Sequence, residues 1–110
     1  MGLVRHWFPA MCRLLKIAGD SLSPEFEDGD FALVSRIPFL LRLPRPGDVV
    51  AFRKPPYGLL VKRVERLEPD GELFVVGTRP ESVDSRQFGS IRKRELVGKV
   101  IWHVKKPAGR

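Results

Sequence analysis

The stretch LLVKRVERLEPDGELFVV, residues 59–76, decides the fold of this 110-residue chain. Its two ends, residues 59–67 and 72–76, are rich in β-branched and apolar residues, which favour strands. Between them stands the sequence Glu-Pro-Asp-Gly at residues 68–71. An Asp-Gly pair favours a tight connection between antiparallel strands. The stretch therefore predicts a β-hairpin.

Outward from this hairpin the chain continues as short apolar runs separated by turn sequences. Ten glycines and ten prolines mark these turns and argue against long helices. We predict further strands at residues 17–19, 31–35, 49–53 and 97–104, and loops at residues 37–43 and 77–89. The fold class is mainly β: one domain built as a folded β-sheet or a partly open barrel, with a short N-terminal helix. Its units are an N-terminal amphipathic segment (1–16), a central domain (17–104) and a basic tail (105–110).

The composition limits the classes of function. A hydrophobic fraction of 43% and a charged fraction of 30% are typical of a folded protein. The net charge of +7 fits a solvated basic surface better than a nucleic-acid site, because the excess is spread along the chain. The single cysteine, Cys12, excludes an intramolecular disulfide, and His6 and His103 have no partners at metal-site spacing. We therefore expect neither a metal nor an organic cofactor, and structural roles for these three residues.

The N-terminal segment carries apolar residues at roughly helical spacing with basic residues between them. The apolar residues are Leu3, Val4, Trp7, Phe8, Met11, Leu14 and Leu15. Such a helix, kinked at Pro9, can rest on an anionic membrane surface or on the protein's own core. No apolar run reaches the roughly 18 residues of a transmembrane helix. The expected location is the bacterial cytoplasm, with peripheral membrane contact as an option.

Two segments carry residues suited to nucleophilic catalysis. Ser21 stands in a turn directly after a strand-like run, where its hydroxyl would be exposed and backbone N–H groups would be free for an oxyanion hole. Lys62 lies in an apolar strand and shares one face with Leu60 and Val64 by period-2 alternation. Burial among apolar groups lowers the pKa of a lysine, and its neutral amine can then activate a serine. Each segment alone is a weak signal, since turn serines and strand lysines are usually structural.

Five motifs taken in order resemble the conserved boxes of the type I signal peptidase family. They are Gly19-Asp20-Ser21-Leu22-Ser23-Pro24, Glu27-Asp28-Gly29-Asp30, Pro46-Gly47-Asp48-Val49-Val50, Val61-Lys62-Arg63-Val64 and Ser82-Val83-Asp84-Ser85-Arg86-Gln87-Phe88-Gly89. The resemblance spans residues 17–104 and is strongest to the short, anchorless branch that includes the nickel-type superoxide dismutase maturation proteases. The resemblance implies a serine peptidase with a Ser-Lys pair. It also implies the β-sheet fold that this family shares with self-cleaving repressors.

The resemblance implies specific roles for residues of this chain. Ser21 would be the nucleophile and Lys62 the general base, with Ser82 orienting the amine of Lys62. The backbone of Ser21, with the Gly19 position beside it, would supply the oxyanion hole, and an Asp84–Arg86 ion pair would hold the Ser82 loop. The sequence departs from the family at Leu22, where methionine is usual, and at Thr78-Arg79, where relatives carry Asp-Asn.

The function implied is limited proteolysis of a protein partner with a cleavable N-terminal segment, such as a nickel superoxide dismutase precursor. Two alternatives remain open. A self-cleaving repressor-like module would need a DNA-binding domain, and none fits in the 16 residues before the first box. A membrane-surface signal peptidase would use the N-terminal segment and the basic charge for attachment. Binding of nucleic acid is not favoured.

Overall fold

Six strands form one antiparallel sheet in the computed structural model, which describes residues 12–19, 22 and 24–106. The strands are β1 (Cys12–Lys16), β2 (Phe31–Ser35), β3 (Val49–Lys54), β4 (Gly58–Leu67), β5 (Leu73–Val76) and β6 (Leu96–Val104). Their order across the sheet is β1-β2-β6-β3-β4-β5. The prediction of a mainly β domain with an open, folded sheet is confirmed.

The β4–β5 hairpin has the turn that its sequence predicts. Leu67 pairs with Leu73, and the N–H of Glu68 donates to the carbonyl of Glu72 at 2.8 Å. Gly71 closes the turn with a φ of +90°, a conformation that side chains with a Cβ rarely adopt. Strand β5 begins at Leu73, one residue later than predicted.

Each face of the sheet packs its own apolar core. Leu22, Phe26, Ala32, Val34, Val49, Ala51 and Val100 form the first core. Val50, Phe52, Val64, Leu73, Val75 and Ile91 form the second core. Successive side chains of a strand point to opposite faces, so β3 contributes to both cores and its four apolar residues 49–52 are all buried. This central strand is therefore the rigid element beside which β4 carries Lys62.

The pairing of β6 is irregular at two points, one with β2 and one with β3. The register shifts between Leu33 and Val34 of β2, and again between Ala51 and Phe52 of β3. Such bulges increase the local twist of a sheet. Near the second one, Gly98 passes so close to β2 that a Cβ there would lie 2.5 Å from the carbonyl oxygen of Ser35. Only glycine fits at this crossing.

The predicted N-terminal helix is wrong for residues 12–16, which form the edge strand β1. Five consecutive residue pairs join this segment to β2, from Cys12 opposite Ser35 to Lys16 opposite Phe31. Five residues are too few to hold a helix by themselves, whereas the open edge of β2 supplies backbone partners at once. The strand ends at Lys16, so the short strand predicted at residues 17–19 is displaced upstream. Residues 1–11, where the rest of the predicted helix falls, lie outside the described residues.

Two segments predicted as loops contain short helices. Helix α1 (Ile37–Leu41) begins beside Ser35, whose Oγ accepts the N–H of Ile37 at 3.1 Å, and Pro38 occupies its first turn, where proline is tolerated. Helix α2 (Ser85–Phe88) is a single turn capped by Asp84. A 3-10 turn, Lys93–Glu95, leads into β6. Within the described ranges no helix is long and apolar enough to cross a membrane.

The start of the basic tail is fixed to the sheet through the buried carboxylate of Asp30. This carboxylate accepts the backbone N–H groups of Glu27 and Lys106, at 3.0 and 2.9 Å, and contacts His103 Nε2 at 2.8 Å. The two N–H groups, followed by His103, hold the pKa of Asp30 far below its usual range. The His103 ring also stacks on Phe26, with centroids 4.2 Å apart. His103 therefore has structural contacts, and residues 107–110 lie outside the described chain.

Candidate active site

Lys62 is a buried cation in the middle of strand β4. It lies directly opposite Val50 of β3, and its side chain shares a face with Leu60 and Val64, as period-2 alternation predicts. Only 4% of the residue is exposed. Among the residues that the structure describes, none forms an ion pair or hydrogen bond with the amine of Lys62. An ammonium in such a place has lost its water without gaining a close counterion.

This environment lowers the pKa of Lys62 below its ordinary value of 10.5, mainly because burial disfavours the charged form. The carboxylate of Asp84 opposes the shift, and the guanidinium of Arg86 adds to it. The net effect raises the fraction of neutral amine near neutral pH. A neutral amine can accept a proton, which an ammonium cannot do.

Ser82 is the second polar residue buried at this place. The residue is 6% exposed, and its backbone N–H donates to the carbonyl of Arg79 at 3.1 Å. Its hydroxyl is the one buried side-chain polar atom, among those of the described residues, with no hydrogen-bond partner. A buried hydroxyl without a partner is costly, and such groups are expected at sites where a ligand or a catalytic group supplies the missing bond.

The loop that carries Ser82 is held by the carboxylate of Asp84, which is fully buried. Arg86 donates from Nε at 3.0 Å and from Nη2 at 2.6 Å, and the backbone N–H groups of Gly77 and Arg86 donate at 2.8 and 3.0 Å. Burial alone would raise the pKa of Asp84, but these four donors outweigh it and lower the pKa. Arg86 also donates to the carbonyl of Arg79 at 2.9 Å. The predicted Asp84–Arg86 ion pair is therefore present, and it spans the loop on both sides of Ser82.

The segment that contains Ser21 is described only at its flanks. Gly19, with a φ of +86°, donates its N–H to Asp28 Oδ1 at 2.9 Å. Leu22 is buried in the first core, and its carbonyl accepts the N–H of Phe26 at 3.0 Å. Ser21 itself lies outside the described residues. Because Asp28 already binds the Gly19 N–H, that group can serve an oxyanion only by exchanging this hydrogen bond.

A groove of about 390 Å³ brings these separate elements together. Its walls come from the end of β1 and the residues after it, from the first half of β4, and from the Ser82 loop. The lining residues are Leu15, Lys16, Ile17, Ala18, Gly19, Leu22, Leu59, Leu60, Val61, Lys62, Glu81, Ser82 and Val83. Both flanks of Ser21, together with Lys62 and Ser82, thus face one mostly apolar groove.

Open strand edges border this groove. Strand β4 pairs with β3 from Gly58 to Arg63, but its pairing with β5 starts only at Arg63. On that side, no described strand pairs with residues 58–62. Among the described strands, β1 is the first of the sheet and likewise has a neighbour on one side only. Unpaired backbone N–H and C=O groups on such edges can bind an extended peptide.

Sequence reasoning missed the apolar walls of the groove. Leu15 was predicted on an amphipathic helix and Leu59 and Val61 on a strand, and each packs partly against the first core. Nothing in a local pattern distinguishes a half-buried leucine that lines a groove from one that fills a core. Only the pairing of distant strands shows the difference. For metal binding, the described part of the chain has no cluster of three or more histidine, cysteine or acidic residues.

Comparison with known proteins adds two findings. The model of a family described as Peptidase S24-like matches residues 2–101 of this chain. The chain is also 25% identical to signal peptidase I V of Bacillus subtilis (strain 168), over an alignment that covers 76% of this chain and 80% of that protein. The matched region contains the flanks of Ser21, strand β4 and the Ser82 loop.

Proposed function

Because the chain belongs to the Peptidase S24-like family, we propose that it is a serine endopeptidase with Ser21 as nucleophile and Lys62 as general base. The observation that carries this proposal is the shared groove. Gly19 and Leu22, which flank Ser21 in the sequence, line it together with the buried Lys62 and with Ser82. A serine beside a neutral lysine amine is a known form of nucleophilic catalysis.

The first half of the reaction forms an acyl-enzyme. The neutral amine of Lys62 takes the proton of the Ser21 hydroxyl while Ser21 Oγ attacks the scissile carbonyl carbon. The oxyanion of the tetrahedral intermediate is stabilised by the backbone N–H of Ser21. The Lys62 ammonium then gives its proton to the leaving amine, the C–N bond breaks, and an ester on Ser21 remains.

The second half releases the acyl group. Lys62, neutral again, takes a proton from a water molecule that attacks the ester carbonyl. The second tetrahedral intermediate collapses, Lys62 returns the proton to Ser21 Oγ, and the carboxylate product leaves. The apolar groove favours this cycle because it keeps the lysine pKa low between the two halves.

The substrate in this proposal binds as an extended strand. Residues 58–62 of β4 offer an open edge for backbone hydrogen bonds, and Leu15, Leu59 and Val61 offer apolar contacts to alternate side chains. The substrate class is a bacterial protein whose N-terminal propeptide or signal segment is removed by one cut. Motif resemblance to nickel superoxide dismutase maturation proteases makes such a cytoplasmic precursor the first substrate to try.

Ser82 is proposed as a positioning residue for Lys62. We expect Ser82→Ala to lower kcat by about 10- to 100-fold with little change in KM, because the amine loses the hydroxyl that is proposed to orient it but the groove keeps its shape. Ser82→Thr, which retains the hydroxyl, should recover part of the loss. Ser90→Ala is the matched control, since Ser90 Oγ donates to Glu68 at 2.9 Å outside the groove. Equal kcat values for the Ser82→Ala and Ser90→Ala enzymes would exclude the positioning role.

The proposal is tested by incubating the protein with a nickel superoxide dismutase precursor that carries its N-terminal extension. Mass spectrometry should show one new N-terminus with the wild type and none with Ser21→Ala. A cut that persists with Ser21→Ala would exclude the serine mechanism. Cleavage of other peptides but not of this precursor would reject the substrate alone. The protein incubated alone at alkaline pH should keep its mass, whereas a Ser21-dependent fragment would favour the self-cleaving alternative.

A further inference from the structure

A second cavity, of about 280 Å³, is lined by four arginines. Arg13 comes from β1, Arg36 from the junction of β2 and α1, Arg53 from β3 and Arg94 from the 3-10 turn. The remaining lining residues are Val34, Leu96 and Val97. None of the described residues that line this arginine cavity is acidic.

The four arginines also differ from most other arginines of the chain in having no counterion. Among the described residues, none forms an ion pair or a side-chain hydrogen bond with them. By contrast, Arg42, Arg63, Arg66, Arg79, Arg86 and Arg92 each pair with a carboxylate. Of the described arginines without an ion pair, only Arg45 lies outside the cavity. Like charges gathered without a counterion repel one another, so the arrangement does not serve stability.

Two of the four arginines adjoin residues that line the groove. Arg13 lies two residues before Leu15 on β1, and alternation puts both side chains on one face. Arg53 lies directly opposite Leu59, which lines the groove. From Lys62 to Leu59 is three residues of strand, or roughly 10 Å. From Gly19 to Arg13 is six residues, at most roughly 20 Å, because β1 ends at Lys16. An extended peptide in the groove would reach the arginines three to six residues from its reacting bond.

We propose that the arginine cavity is a specificity subsite for acidic side chains of the protein substrate. This inference rests on the proposed peptidase function. Guanidinium groups bind carboxylates in a two-point geometry, and several of them around one concavity favour a run of Asp or Glu over a single charge. The cavity selects substrates that carry this run three to six residues from the cut. A peptide is favoured over a nucleic acid or a lipid surface because the cavity is concave and Arg53 lies opposite Leu59, a residue of the peptide groove.

The subsite is tested by binding, in the Ser21→Ala background, so that no cleavage is needed. The probes are labelled peptides that join a Val-Ala-Val-Ala stretch to a run of Glu, Gln or Lys. The Glu peptide should bind at least about tenfold more tightly than the Gln peptide, and the difference should shrink at high salt. Arg53→Glu combined with Arg94→Glu should remove this preference and improve binding of the Lys peptide.

Arg45→Glu is the matched control, because Arg45 is exposed, has no ion pair with any described residue and lies outside the cavity. It should leave the preference for Glu within about twofold, and all variants should melt at similar temperatures because the changed side chains are exposed. Equal binding of the Glu and Gln peptides would overturn the subsite. So would an Arg45→Glu variant that loses the preference for the Glu peptide as completely as the double variant does. A double variant that loses binding to a DNA duplex or to anionic vesicles, with no peptide effect, would overturn it too. Ser21-dependent cleavage without a Glu preference would reject the subsite and leave the proposed function standing.

Discussion

Lys62→Met should reduce cleavage by at least about 10⁴-fold while leaving a folded protein, because it removes the proposed general base and keeps the volume of the side chain. The wild-type rate should rise with pH through a lysine pKa that burial holds below its ordinary value of 10.5. The Met variant should show a flat residual rate across the same range. Both are measured as kcat/KM against pH on one substrate peptide.

The same substitution should make the protein more stable at neutral pH. Burial lowers the pKa of Lys62 in the folded state, so at low pH folding must bury an ammonium that methionine does not carry. Between the folded pKa and the unfolded value of about 10.4, only the unfolded chain binds the proton, and wild-type stability rises with pH. The melting temperature of Lys62→Met should therefore exceed that of the wild type at pH 7, and the gap should narrow toward pH 10.

A folded Lys62→Met enzyme with full cleavage would refute the mechanism. A variant that melts below the wild type at pH 7 would instead contradict the burial argument, because it would mean that the ammonium stabilises the fold. The two readouts are independent. A catalytic role predicts loss of rate with gain of stability, which is the opposite of what the loss of a structural lysine would give.

Much of the fold around Lys62 could be predicted because its signals are local. The Asp-Gly turn and the period-2 pattern of residues 59–67 predicted the hairpin and the face on which Lys62 lies. The predicted strand at residues 31–35 also matches β2. In each of these runs the residues favour a strand by themselves, and the rest of the sheet also pairs with them as a strand. Prediction from the local sequence succeeds when these two influences agree.

The failures come from contacts between distant segments. Strand β1 was predicted as part of a helix because its pairing with β2 is not visible in its own five residues. Helix α1 follows an apolar, proline-bounded pattern that fits a loop equally well. Arg13, Arg36, Arg53 and Arg94 are spread over 82 positions, so no local pattern could reveal that they meet in one cavity.

The largest loss of stability is expected for Asp84→Ala. Its buried carboxylate accepts four hydrogen bonds, and its removal leaves the N–H groups of Gly77 and Arg86 without acceptors and the Arg86 guanidinium without its counterion. We expect the free energy of unfolding to fall by about 3 kcal/mol at pH 7, measured by urea denaturation. The pKa of Asp84 is lower in the folded protein than in the unfolded chain, where it is near 3.9. The stability difference between the wild type and Asp84→Ala should therefore have its full size above about pH 3.9 and should disappear as the pH falls through the folded pKa.

Glu81→Ala is the control for Asp84→Ala within the same loop. Glu81 also pairs with an arginine, Arg79, at 2.9 Å, but its side chain is 66% exposed, so water replaces the lost contact. The midpoint of denaturation should barely change. If the Asp84 carboxylate fixes the position of Ser82, Asp84→Ala should also lower kcat under conditions where the variant is fully folded. Equal losses of stability for Asp84→Ala and Glu81→Ala would show that the buried hydrogen bonds of Asp84 do not stabilise the loop.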